Sequence, residues 1–148
     1  MNLRRSPDAA GSAGHELSQV PALPTILLVE DDDNFTSYLV TTLEASGFKV
    51  LHARNGKEAL RHYEPDSIQL VLTDLIMEDM DGIELIMELR KLSPKVKIVA
   101  MSGGGKLKIG GHLPVAKHLG ASSVLSKPFT IQNLLDAIHS ALGHLPLK

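Results

Sequence analysis

Four groups of side chains in this sequence could serve one reaction. They are the acidic run Glu30-Asp31-Asp32-Asp33, then Asp74, Ser102 and Lys127. Each group ends or closely follows an apolar run, at 26–29, 68–73, 96–101 and 123–126. Runs of this kind suit strands buried on both faces. If the strands are parallel, their carboxyl ends open onto a single crevice, where ligands and chemistry collect. Carboxylates that converge there repel one another unless a cation neutralises them. A hard divalent ion fits such a donor set, and Mg²⁺ holds a few carboxylates, several waters and a substrate phosphate. Beside such an ion the Asp74 carboxylate is a nucleophile toward phosphorus, and the product is an aspartyl phosphate. The transfer needs positioning and neutralised phosphoryl oxygens. Mg²⁺ would take one oxygen, the Lys127 ammonium a second and the Ser102 hydroxyl a third.

Taken singly, each residue has a plainer explanation. An aspartate between a strand and a helix caps the helix and favours its dipole, which suffices for Asp32 and Asp33. Ser102 alone reads as a strand-end capper and Lys127 as a solvated charge. Their joint occurrence at successive strand ends is what favours a shared pocket.

The elements that must position them alternate along the chain. After the acidic run, Phe35, Leu39 and Leu43 recur every four residues and Gly47 closes a helix. A strand over 49–53 and a short helix over 57–63 follow. Asp81-Gly82 marks a turn after the third strand, and Ile83, Ile86 and Met87 line a helix that ends before Pro94. Gly103-Gly104-Gly105 follows the fourth strand, and a weak helix over 114–119 leads to the fifth. Ile131, Leu134, Leu135, Ile138 and Leu142 form a final amphipathic helix. Five strands alternating with five helices make a doubly wound α/β fold on a parallel sheet.

Composition bounds the function. At 148 residues and 43% hydrophobic content the chain suits one domain with a proper core. A formal charge of −2 provides no basic footprint for DNA or other nucleic acid, and the absence of cysteine removes disulfides, thiolate metal sites and a cysteine nucleophile. No apolar stretch approaches the roughly 20 residues of a membrane span, so a soluble, cytoplasmic protein is expected. Residues 1–24, rich in proline, glycine, serine and alanine, read as a flexible arm before a domain at 25–148. Gly103 to Lys106 lacks the Walker spacing of a phosphate-binding loop. The histidines show no metal-ligand spacing, and His139 beside the last apolar stripe reads as solvated.

The segments ILLVEDD (26–32), LTDLIM with DMDG (72–77 and 79–82), VAMSG (99–103) and SKPF (126–129) occur in order at these strand ends. From residue 25 to about 142 the chain resembles the receiver domain of bacterial two-component response regulators. The resemblance implies the flavodoxin-like strand order 2-1-3-4-5. It also implies Asp74 as phosphoacceptor, Glu30 and Asp31 as the acidic pair for Mg²⁺, and the backbone carbonyl of Ile76 as a further metal ligand. Ser102 is then the hydroxyl that swings toward the phosphate, and Lys127 the ion-pairing lysine before a cis bond to Pro128. The implied partners are a histidine kinase or phosphotransfer protein and a downstream protein target docked on the fourth helix, fifth strand and fifth helix. Catalysis would be confined to the chain's own Mg²⁺-dependent phosphorylation and dephosphorylation.

This sequence departs from the family pattern in three places. Glu78 replaces a frequent proline, Val124 replaces an aromatic switch residue, and the stretch from Ser102 to Lys127 is about three residues longer than usual. Glycines there permit unusual backbone angles and low local stability, so signalling is expected to run through that loop and the helix after it. With only residues 143–148 after the last helix, output by protein binding or phosphoryl relay is expected. A phosphorylation-independent interaction module is the alternative. A phosphohydrolase using Asp74 is disfavoured, because Ile76 occupies the place of its second acid.

Overall fold

Alternation along the strands sorts the apolar side chains onto two faces of one sheet. The computed structural model describes residues 23–77, 80–103 and 116–143. Most of the arm, Glu78, Gly104, Gly105, the start of the fourth helix and residues 144–148 lie outside them. The strands are β1 (Thr25–Val29), β2 (Lys49–Ala53), β3 (Leu70–Asp74), β4 (Ile98–Ser102) and β5 (Ser123–Ser126). They form one sheet in the order β2-β1-β3-β4-β5, and each neighbouring pair is parallel. The expected flavodoxin-like α/β topology is therefore present. Between the strands run α1 (Asp33–Ala45), α2 (Gly56–His62) and α3 (Gly82–Leu92). Residues 116–118, the described end of α4, are helical, and α5 spans Ile131–Leu142.

One face of the sheet presents Ile26, Leu28, Leu70, Leu72, Val99 and Met101 to Leu39 and Leu43 of α1 and to Leu134 and Ile138 of α5. The other presents Leu27, Val29, Val71, Ile98 and Ala100 to Ala59 of α2, to Leu85, Ile86 and Leu89 of α3 and to Ala116 of α4. Leu39 and Leu43 have no exposed surface, and truncating either to alanine would cost about 2–5 kcal/mol. Side-chain oxygens cap the starts of four helices. Asp32, Asn55, Asp81 and Thr130 accept from the amides of Phe35, Glu58, Glu84 and Asn133. Each cap is worth about 1 kcal/mol.

Two strands, β3 and β4, differ from expectation at both ends. The amides of Ile68 and Val96 bond back to Glu64 and Ser93 in turns, so the ladders begin at Leu70 and Ile98. Both residues are nonetheless buried, which is why they read as strand. At the other end the ladder runs one residue further, to Asp74 and to Ser102.

Candidate functional site

The carboxyl ends of β1, β3, β4 and β5 meet at one edge of the sheet. Glu30 and Asp31 follow β1, Asp74 is the last residue of β3, Ser102 the last of β4, and Lys127 follows β5. Cross-strand bonds fix their relative heights. The Leu75 amide donates to the Met101 carbonyl at 2.9 Å, and the Lys127 amide to the Ser102 carbonyl at 2.8 Å. The Lys127–Pro128 bond is cis.

Carboxylate oxygens of Glu30, Asp31 and Asp74 lie within 4.8 Å of one another. The Lys127 ammonium reaches Glu30 Oε1 at 3.3 Å and Asp74 Oδ2 at 3.4 Å. Its side chain is only 23% exposed, so these pairs are weakly screened by solvent. The other oxygen of each carboxylate faces backbone. Glu30 Oε2 accepts from the Asp32 amide at 3.1 Å and Asp74 Oδ1 from the Leu75 amide at 2.9 Å, with the Ile76 amide also beside Asp74.

Burial dominates the electrostatics. It holds the Asp74 carboxyl above the usual carboxylate range, against the pull of Lys127 and the two amides. Burial likewise raises Glu30, with the Asp74 charge adding to it and Lys127 opposing. One ammonium thus serves two buried carboxylates that neighbour a third. Three hard oxygen donors, under-neutralised and close enough to share one ion, fit Mg²⁺.

Ser102 is buried, one residue beyond the Asp74–Met101 pair, and its hydroxyl donates to the Gly103 carbonyl at 3.4 Å. It is turned onto its own backbone. Ile76 is half-buried two residues past Asp74. Asp32 acts as the α1 cap and Asp33 pairs with Arg54 outside the pocket, in line with the capping explanation for Asp32. Val124 is half-buried against the α2–α3 side of the core.

Several residues at the site carried no chemical signal in the sequence. Phe35 reads as one position of the α1 stripe, yet its ring lies at the pocket rim with the Lys127 ammonium 4.6 Å from its centroid. Tyr38 stacks on it and Phe129 meets it edge-on, so three of the chain's five aromatics gather here. Gly82 lets the start of α3 press against β3. A Cβ there would lie 2.6 Å from Leu75 Cα and closer still to the Asp74 carbonyl oxygen. His52 and Arg54, on and just after β2, donate to the carbonyls of Glu30 and Asp31. His139 is half-buried against the Phe48 ring, 5.8 Å between centroids, rather than fully solvated.

A doubly wound sheet with an acidic pocket and a lysine at its carboxyl edge defines an α/β domain with a candidate cation site at the strand ends. The profile of the response regulator receiver domain matches residues 26–139, and the chain belongs to that family. It is 35% identical over 117 residues to the response regulator receiver protein CpdR of Brucella abortus, covering 79% of this chain and 95% of that one. With the transcriptional regulatory protein GlrR of Escherichia coli it shares 32% identity, over 79% of this chain and only 26% of that protein. A crystal structure of a response regulator receiver domain protein from Clostridium thermocellum superposes with a TM-score of 0.75 at 31% identity. That match covers 82% of this chain and 95% of the other. Receiver domains serve two-component phosphorelay signalling, bind Mg²⁺ at an acidic pocket and interact with histidine kinases or phosphotransfer proteins. Among the described residues no helix is long and apolar enough to cross a membrane.

Proposed function

We propose that this chain accepts a phosphoryl group on Asp74 from a histidine kinase or phosphotransfer protein, and that the modification switches its binding to a downstream protein. A carboxylate oxygen of Asp74 attacks the phosphorus of a phosphohistidine. The P–N bond breaks and its electron pair stays on that imidazole nitrogen, so a phosphohistidine protonated on its other ring nitrogen leaves as neutral histidine. Glu30, Asp31, Asp74 and the Ile76 carbonyl would hold Mg²⁺, which when bound neutralises charge on the phosphoryl oxygens. Lys127 exchanges its contact with Asp74 for a phosphoryl oxygen. The Ser102 hydroxyl leaves the Gly103 carbonyl and donates to another, carrying the signal into the segment that follows. Phosphorylation in this scheme biases two existing surface states.

The observation that carries the reading is a buried nucleophile with its cation in place. Asp74 is 6% exposed, with the Lys127 ammonium 3.4 Å away and two further carboxylates alongside. The test is incubation with Mg²⁺ and acetyl phosphate, followed by intact mass. An adduct of one phosphoryl group that is lost in Asp74→Asn supports the proposal. An unmodified wild-type chain would instead support an interaction module that works without phosphorylation.

A further inference from the structure

We infer that His52 is a positioning residue for the cation pocket, acting through the backbone of Glu30. The inference rests on reading that pocket as a Mg²⁺ site. The parallel ladder between β1 and β2 closes where the Glu30 amide donates to the Ala53 carbonyl at 3.1 Å. Beyond this point β2 gives way to Asn55, the cap of α2. The Glu30 carbonyl is taken by a side chain instead, with His52 Nε2 at 2.8 Å. A carbonyl oxygen only accepts, so Nε2 carries the proton. The same nitrogen lies 3.4 Å from Thr36 Oγ1 in the first turns of α1.

His52 is paired in register with Leu28 and shares its face of the sheet, beneath α1. One half-buried imidazole therefore bridges the residue that opens the acidic loop and the helix that closes it. Arg54 supplies an outer grip, reaching the Asp31 carbonyl at 3.2 Å while paired with Asp33. Its exposure makes it the weaker of the two. The geometry matters because Glu30 has little freedom left. Its amide, its carbonyl and both carboxylate oxygens are engaged, by Ala53, His52, Asp32 and Lys127. Releasing the carbonyl lets the loop turn, and the Glu30 and Asp31 carboxylates lose the separation an octahedral ion requires. Residues that orient metal ligands from outside typically contribute about 10–100-fold in metal affinity. His52 holds backbone rather than a ligand atom, so the lower end of about tenfold applies.

The test is direct Mg²⁺ titration by calorimetry on wild type, His52→Leu, His52→Gln and Gly47→Ala, with the urea midpoint of each measured without metal. Glutamine keeps an N–H donor at similar reach, and Gly47 lies away from the pocket. The inference expects His52→Leu to bind Mg²⁺ about tenfold more weakly, His52→Gln to recover most of that loss, and Gly47→Ala to lose stability with unchanged affinity. At saturating Mg²⁺, phosphoryl uptake by His52→Leu should return to near the wild-type rate. Equal Mg²⁺ affinity in wild type and His52→Leu would overturn the inference while leaving the cation site intact. Should His52→Leu fail to fold, His52→Ala takes its place, and equal Mg²⁺ affinity in wild type and His52→Ala overturns it equally. No binding by wild type would overturn the reading of the pocket itself.

Discussion

Replacing Gly82 with alanine should damage the site from behind, without touching a charged group. The added methyl would sit 2.6 Å from Leu75 Cα and closer to the Asp74 carbonyl oxygen, where ordinary contact begins at 3.4 Å. Both neighbours are backbone and neither can swing aside. The Gly82 amide also donates to the Leu75 carbonyl at 3.0 Å, so α3 cannot lift away without losing that bond. Relief needs a shift approaching 1 Å at the end of β3, and overpacking of this kind costs about 1–3 kcal/mol. Helix propensity favours alanine by at most about 1 kcal/mol, so with that offset in full the net loss is about 0–2 kcal/mol. The larger effect falls on Asp74, since misplacing a reacting group by about 1 Å can cost roughly 100-fold in rate. Gly47→Ala is the matched control. Its φ of 97° penalises a side chain, but nothing lies within 4 Å, so it should lose about 1–2 kcal/mol with uptake unchanged. The assays are urea unfolding and the initial rate of acetyl-phosphate-driven phosphorylation. A Gly82→Ala chain that takes up phosphate at the wild-type rate would refute the argument.

Two further outcomes follow from the pocket's charge. Burial raises the Asp74 and Glu30 carboxyls above their usual values of 3.8 and 4.5, so in this range the folded apo chain binds more protons than the unfolded one. Their contribution to stability is full at low pH and is lost as pH rises through the raised values. The unfolding free energy of Asp74→Asn, relative to wild type without metal, should therefore climb from acid to neutral pH, and a pH-independent difference would contradict this. Lys127→Met removes the ammonium shared by Glu30 and Asp74. It should cost about 1–3 kcal/mol, less than a fully buried pair because of its partial exposure, and slow phosphoryl uptake. The same variant should bind Mg²⁺ more tightly, because a competing cation is gone; weaker binding by calorimetry would count against that.

The strand ends were legible because side chains there announce themselves. A run such as 26–29 has nowhere to go but a sheet covered on both faces, and the charged residues beside it must then sit at the rim. Asp32 was readable as a cap for the same reason, since caps are local, whereas the caps at Asp81 and Thr130 emerged only from the structure. Ile68 and Val96 were misread because burial alone cannot distinguish a ladder residue from one in a buried turn. Three features of the site depend on distances between elements far apart in sequence. They are the Phe35 ring under Lys127, the missing Cβ of Gly82 against β3, and His52 on the Glu30 carbonyl. Phe35 shares its spacing with Leu39 and Leu43, and Asp81-Gly82 signalled only a turn.

Lys127 has two carboxylates to serve while a third stands nearby. When all are ionised, this leaves the cleft with a standing anionic field that turns away phosphate-bearing molecules. On the proposed function, a divalent ion held by these carboxylates would offset that field before a phosphoryl donor approached. Free magnesium would set the tempo of signalling here as much as the donor does.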